Sequence, residues 1–152
     1  MSIYLSNNKA LVFASVSNDE YLLENKIDAF LQNGILEIVV VLDSMAGLYL
    51  PSLQQRYAEV KFVVLDSDVS VDNEYAAFLG MKALFPDKRI SPFYLVKADA
   101  SFAAADIYLL EKNRTWDFEA VDENGKPYGV YKFGTYKGME FYKRCKTESN
   151  LT

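Results

Sequence analysis

Residues Ile35 to Ser44 read ILEIVVVLDS. Apart from Glu37 the run is apolar and largely β-branched until it closes on an acid and a serine. A strand without polar alternation offers no face to water, so it belongs inside a sheet covered on both sides. The pattern recurs in KALVFASV (Lys9–Val16), VKFVVLDSD (Val60–Asp68) and PFYLVKADASF (Pro92–Phe102). Helical stretches separate the runs. EYLLENKIDAFLQNG places Leu22, Leu23, Ile27, Phe30 and Leu31 at helical spacing, with Ser17 or Asn18 as N-cap and Asn33–Gly34 as the stop. YLPSLQQRYAE and DNEYAAFLGMKALF supply two more helices, the second with an Asx start. The order β-α-β-α-β-α-β with crossovers of this length predicts a mostly parallel, Rossmann-like α/β sheet flanked by helices.

After Phe102 the pattern changes. AAADIYLLEKN predicts a short helix. TWDFEAV and YGVYKFGTY predict strands joined through DENGKP, whose Asn124–Gly125 is a hairpin signal. GMEFYKRCK fits a last helix or a last strand. The reading is one domain over residues 1–152: an α/β part at 9–102 and a small mixed, β-rich part at 103–152.

Composition narrows the chemistry. The 152 residues include no histidine, which removes serine–histidine and cysteine–histidine catalysis and most zinc sites. One cysteine, Cys145, allows no internal disulfide. No apolar run approaches the ~20 residues of a membrane span, and the start of the chain lacks the pattern of a secretory signal. The expected location is the cytoplasm. The net charge of −5 is uneven. Over residues 126–146, Lys126, Lys132, Lys137, Lys143, Arg144 and Lys146 stand against one acid, Glu140. Two readings fit: a solvated basic tail, or a segment that meets anionic groups, with Lys132, Lys137 and Arg144 as diphosphate contacts. Nucleic acid is not the expected partner, because the rest of the chain is acidic.

In open parallel sheets ligands bind beyond the C-terminal strand ends. Those ends read Ser15–Val16–Ser17–Asn18, Asp43–Ser44, Asp66–Ser67–Asp68 and Asp99–Ala100–Ser101. Aspartate and serine are ordinary turn residues. They are also oxygen ligands suited to Mg²⁺ or Mn²⁺, hard ions that bridge to phosphates. Glycine-rich dinucleotide and P-loop patterns are absent. Phosphate charge would need another counter-charge, such as a metal at Asp99 together with cations from the C-terminal third.

LVFASVSNDEYLLENKIDAFLQNGILEIVVVLDS resembles the opening of GT-A-fold glycosyltransferases, and FYLVKADASF is similar to the segment carrying their DxD metal motif. NEYAAFLGMKAL looks like the helix before their central strand. The resemblance implies a GT-A-like sheet and transfer of a sugar from a nucleotide-diphosphate sugar, UDP-sugar by default, to a carbohydrate or other hydroxyl acceptor. It implies that Ala14, Ser15, Val16, Asn18, Asp43, Ser44, Lys97 and Ala98 border the nucleotide. Asp99 would hold the Mn²⁺ or Mg²⁺ cofactor, with Ser101 beside it. Position 97 is lysine and 101 serine, so Asp99 lacks the second acid of the motif. A carboxylate after the motif, Asp117 or Glu119, would be the catalytic base. A passive nucleotide- or protein-binding domain on the same fold is the alternative. A further class is a Rossmann-like hydrolase or transferase with its metal at Asp43 or Asp66.

Overall fold

The computed structural model describes residues 5–15 and 20–149. The strands are β1 (Lys9–Ala14), β2 (Glu37–Leu42), β3 (Lys61–Val64), β4 (Phe93–Val96), β5 (Phe118–Val121) and β6 (Pro127–Phe133). The helices are α1 (Glu20–Gln32), α2 (Leu50–Arg56), α3 (Glu74–Leu84), α4 (Ala104–Lys112) and α5 (Thr135–Ser149), with a 3₁₀ turn at Ala46–Tyr49 leading into α2. The sheet runs β3-β2-β1-β4-β6-β5. β1 to β4 are mutually parallel, while β6 is antiparallel to both β4 and β5. The α/β architecture expected from the strand pattern is the one observed.

Alternate residues of the central strands sort into two cores. Ala10, Val12, Ala14, Ile38, Val40 and Leu42 pack with α1, α2 and α4. Leu11, Phe13, Val39 and Val41 pack with α3 and α5. This two-sided burial is what strands without polar alternation require. On α1, Leu23, Ile27 and Phe30 are buried, but Leu22 stands on the exposed side. The expected caps Ser17 and Asn18 fall outside the described residues. On α3 the Asx start is realised: the Asn73 side chain accepts from the Tyr75 N–H at 2.7 Å. Gly80 lets α3 sit close on the sheet, since a Cβ there would lie 2.7 Å from Leu11 and 2.9 Å from Val41.

The last third departs from the expectation in two ways. It is not a separate β-rich part, because β6 pairs along β4 from Phe93↔Phe133 to Val96↔Val130 and extends the same sheet. The second strand of the hairpin stops at Phe133, and Thr135 opens a 15-residue helix. GMEFYKRCK is therefore helical. Alternation in YGVYKF is real, but beyond Gly134 the spacing of Gly138, Phe141, Tyr142 and Cys145 is helical, and those residues turn toward the α3 side.

Cys145 closes that helix onto α3. It is fully buried, and its S–H donates to Glu74 at 3.2 Å. Burial first, then the Glu74 carboxylate, push the thiol from 9.0 up to about 12. A folded value above the unfolded one means the thiol's contribution is complete below the unfolded value and lost as pH rises through the folded one. Stability should therefore fall with pH between 9.0 and about 12. Urea melts of wild type and Cys145→Ala at several pH values check this: the wild type should lose more of its midpoint across that window. Native Cys145 should also resist a thiol reagent until the protein is denatured.

Candidate functional site

The chain moves from β1 out to β3 in one direction, then crosses to β4 on the other side of β1. That reversal is a topological switch point, where a crevice opens beyond the strand ends. A cleft of about 740 Å³ lies there. Each parallel strand contributes its tail: Ser15 from β1, Asp43–Met45 from β2, Ser67–Asp72 after β3, and Lys97–Asp99 from β4.

The local chemistry explains why these tails hold still. Asp43 accepts the Ala46 N–H on Oδ1 at 2.7 Å and so starts the 3₁₀ turn. After β3, the Ser70 hydroxyl accepts the Asp72 N–H at 3.2 Å. The turn at 97–101 is tied from three directions. Lys97 N–H donates to Gly129 O at 2.8 Å, and Ser101 N–H to Tyr128 O at 3.1 Å. From below, the Lys26 ammonium of α1 donates to Ala98 O at 2.8 Å. Beside them, Gly129 has φ +86°, and a Cβ there would lie 2.9 Å from the Ala100 backbone.

Lys26 was not singled out from the sequence. It is 5% exposed. Burial lowers its pKa, and the Asp99 carboxylate opposes that shift. A signal existed: Lys26 sits between Leu23 and Phe30 on the apolar stripe of α1, where a solvated lysine has no place.

The structure gathers Ser15, Asp43, Ser44, Lys97, Ala98 and Asp99 around one cleft. Ala14 is buried at the end of β1. Val16 and Asn18 lie outside the described residues. Ser101 is exposed and does not line the cleft. Glu119 reaches its edge, with Oε1 3.8 Å from the Lys97 ammonium. Asp117 does not. Its neighbour Phe118 pairs with Lys132, which pairs with Tyr94 toward the start of β4. There the Asp117 carboxylate accepts the Gly134 N–H at 2.8 Å.

None of the three expected diphosphate contacts is among the residues that line the cleft. Lys132 is 1% exposed and donates to the carbonyls of Leu110 and Asn113 at the end of α4. Its ammonium lies 4.1 Å from the centre of the Trp116 ring. Burial lowers its pKa, and Glu111 opposes that. A buried cation capping a helix C-terminus is structural. Lys132→Ala should cost about 2 kcal/mol of stability in a denaturant melt, through bared carbonyls and a cavity, without altering ligand affinity. Lys137 precedes Gly138, which packs on Ile90 and Phe93 at the opposite end of the sheet. The Arg144 guanidinium lies 5.2 Å from the centre of the Phe141 ring. Of the basic C-terminal residues, Lys132 is therefore spent inside the fold.

Among the described residues no group of three or more His, Cys, Asp or Glu side chains converges to hold a metal ion. No helix among them is long and apolar enough to cross a membrane.

No protein family profile matches the chain, and no curated protein does. Solved structures share its fold. The inositol-1-phosphate CTP transferase from T. maritima superposes with a TM-score of 0.60 at 14% identity, covering 97% of this chain and 84% of that one. The 4-diphosphocytidyl-2C-methyl-D-erythritol synthase from Anaerococcus prevotii DSM 20548 gives 0.58 at 16% identity, covering 91% and 74%. HddC from Yersinia pseudotuberculosis gives 0.53 at 11% identity, covering 88% and 79%. At these identities the likeness is one of architecture. The resemblance to glycosyltransferases thus narrows to a GT-A-like fold, which this chain shares with nucleotidyltransferases.

Proposed function

We propose that the chain binds a nucleoside triphosphate in the switch-point cleft and transfers its nucleotidyl group to a phosphorylated acceptor. The supporting observation is that the cleft coincides with the switch point of a fold shared with nucleotidyltransferases. An ionised oxygen of the acceptor phosphate attacks the α-phosphorus. The bond from that phosphorus to the β-phosphate's bridging oxygen breaks, and its electron pair leaves with pyrophosphate. No proton has to be removed from the nucleophile, so no general base is required. Of the two expected bases, Asp117 lies at the far end of the sheet, while Glu119 stands at the cleft's edge facing Lys97. Sugar transfer from a nucleotide-diphosphate sugar to a hydroxyl acceptor would use the same cleft, and its inverting form would need a base.

A divalent ion fits this cleft as part of a nucleotide complex. Mg²⁺ and Mn²⁺ are commonly held by one or two carboxylates plus substrate phosphates. Asp99 would hold the ion, with Asp43 and Ser15 on the neighbouring strand ends lining the same cleft. Bound there, the ion supplies neutralisation of phosphate charge. The chain's own part is to present Asp99 on a fixed turn, to offer the hydroxyls of Ser15 and Ser44 to the nucleotide, and to place Lys97 toward its phosphates.

A second reading, a passive nucleotide-binding domain, rests on the cleft's own charge. Asp43, Asp68, Asp72 and Asp99 face one lining cation, Lys97, which Glu119 already engages. One experiment separates the readings. The protein is incubated with each nucleoside triphosphate, Mn²⁺ and a panel of polyol and sugar phosphates, and pyrophosphate release is followed. In parallel, nucleotide sugars are offered and nucleoside diphosphate release is followed. Pyrophosphate release that disappears in Asp99→Asn is the expected result. Release of nucleoside diphosphate instead would replace nucleotidyl by glycosyl transfer. Calorimetric binding without turnover would leave the passive reading.

A further inference from the structure

We propose that Lys26 is a positioning residue that makes divalent-ion binding at Asp99 conditional on the nucleotide's phosphates. The proposal deepens the nucleotide reading above and rests on it. Lys26 is 5% exposed, and among the described residues its hydrogen bond goes to Ala98 O, at 2.8 Å. Burying an ammonium is costly, and a methionine would fill the same space without that cost. What the lysine adds, besides its hydrogen bond to Ala98 O, is a positive charge beneath the turn that carries Asp99. The carboxylate is itself exposed to the cleft, and its charge acts on Lys26 across the turn.

The other charges around the turn are Lys97 beside it, Glu119 from β5, and Asp43, Asp68 and Asp72 across the cleft. Lys26 has no carboxylate hydrogen-bonded to it among the described residues, and the carboxylate whose charge acts on it is that of Asp99. A free divalent ion arriving at Asp99 meets a carboxylate already partly compensated. A nucleotide brings enough negative charge to satisfy both the ion and the ammonium. The same lysine therefore opposes the bare ion and favours its nucleotide complex.

The test measures Mn²⁺ alone, by electron paramagnetic resonance of the unbound ion, and Mn²⁺ with a nucleoside triphosphate, by calorimetry. Wild type should bind the complex far more tightly than the bare ion. Lys26→Met should bind bare Mn²⁺ about tenfold more tightly and the complex about tenfold more weakly. A merely structural loss would weaken both. Lys26→Arg, which keeps the charge, should restore the wild-type pattern. Adding Asp99→Asn to Lys26→Met should abolish the gain. Bare-ion affinity unchanged or lowered in Lys26→Met would overturn the proposal. Circular dichroism checks folding. Should the methionine variant not fold, Lys26→Gln retains an N–H donor toward Ala98 and decides the same question. A wild type that binds no nucleotide ends the nucleotide reading, while the bare-ion comparison still decides the role of Lys26.

Discussion

Asp99→Asn should reduce the affinity for a Mn²⁺–nucleotide complex by at least about a hundredfold, or ~3 kcal/mol. The fold should be little affected, apart from the loss of the charge that compensates the buried Lys26 ammonium. Asp99 is exposed, and the turn that carries it is tied through the backbone of Lys97, Ala98 and Ser101 rather than through its carboxylate. Replacing a surface acid free of core contacts changes stability by about 0.5 kcal/mol or less. Asparagine keeps the shape and removes the charge. A loss of binding with an unchanged urea midpoint would therefore assign the loss to the charge. Calorimetry with and without Mn²⁺ separates the two contributions: metal-free nucleotide binding, weak in wild type, should change little or even improve once an acid facing phosphate is gone. Equal affinities for wild type and variant in the presence of Mn²⁺ would remove Asp99 from the site.

Gly129→Val should have the largest structural effect, about 3 to 4 kcal/mol. Two costs add at one position. A β-branched residue is strained at φ +86°, and its Cβ would lie 2.9 Å from the Ala100 Cα. The neighbour that would have to yield is backbone, so no rotamer change relieves the clash. The displaced segment carries Lys97 through Ser101, held by the carbonyls of Gly129 and Tyr128. Ligand affinity should fall together with the melting midpoint. Gly125→Val is the contrasting control. Gly125 also has positive φ, at +81°, but a Cβ there meets nothing within 4 Å. It should pay only the conformational cost, about 1 to 2 kcal/mol, and leave the cleft intact.

The architecture was legible because hydrophobic spacing reports burial. Ile38 to Leu42 admits only a two-sided strand, and the acids and serines that follow such strands mark the rim. The site was legible to the extent that it is built from strand ends. It was obscured where a cation serves the interior. Lys132 reads in sequence as one of six basic residues near the C-terminus, yet it is buried. Its position gave a hint, since it alternates with the inward-facing Val130 and Gly134. Charge composition cannot distinguish an ammonium that caps carbonyls from one that awaits phosphate; only its face of the strand can. Asp117 misled for a related reason. Closeness to the metal-motif segment along the chain did not survive the antiparallel hairpin, which carries residues 117 and 118 to the opposite end of β4.

The place of β6 between β4 and β5 has a consequence for how the molecule is made. The outer edge of β4 is paired by residues from 130 to 133, close to the end of the described chain. During synthesis, a partly emerged chain can assemble the first four strands while one flank of the sheet remains open. Closure waits on contacts between distant parts of the sequence, the kind that slow folding and invite strand-to-strand association before completion. The backbone ties that hold the Asp99 turn and the final seal of the sheet thus arrive with the same strand, and a ribosome-bound intermediate short of Tyr128 would have neither.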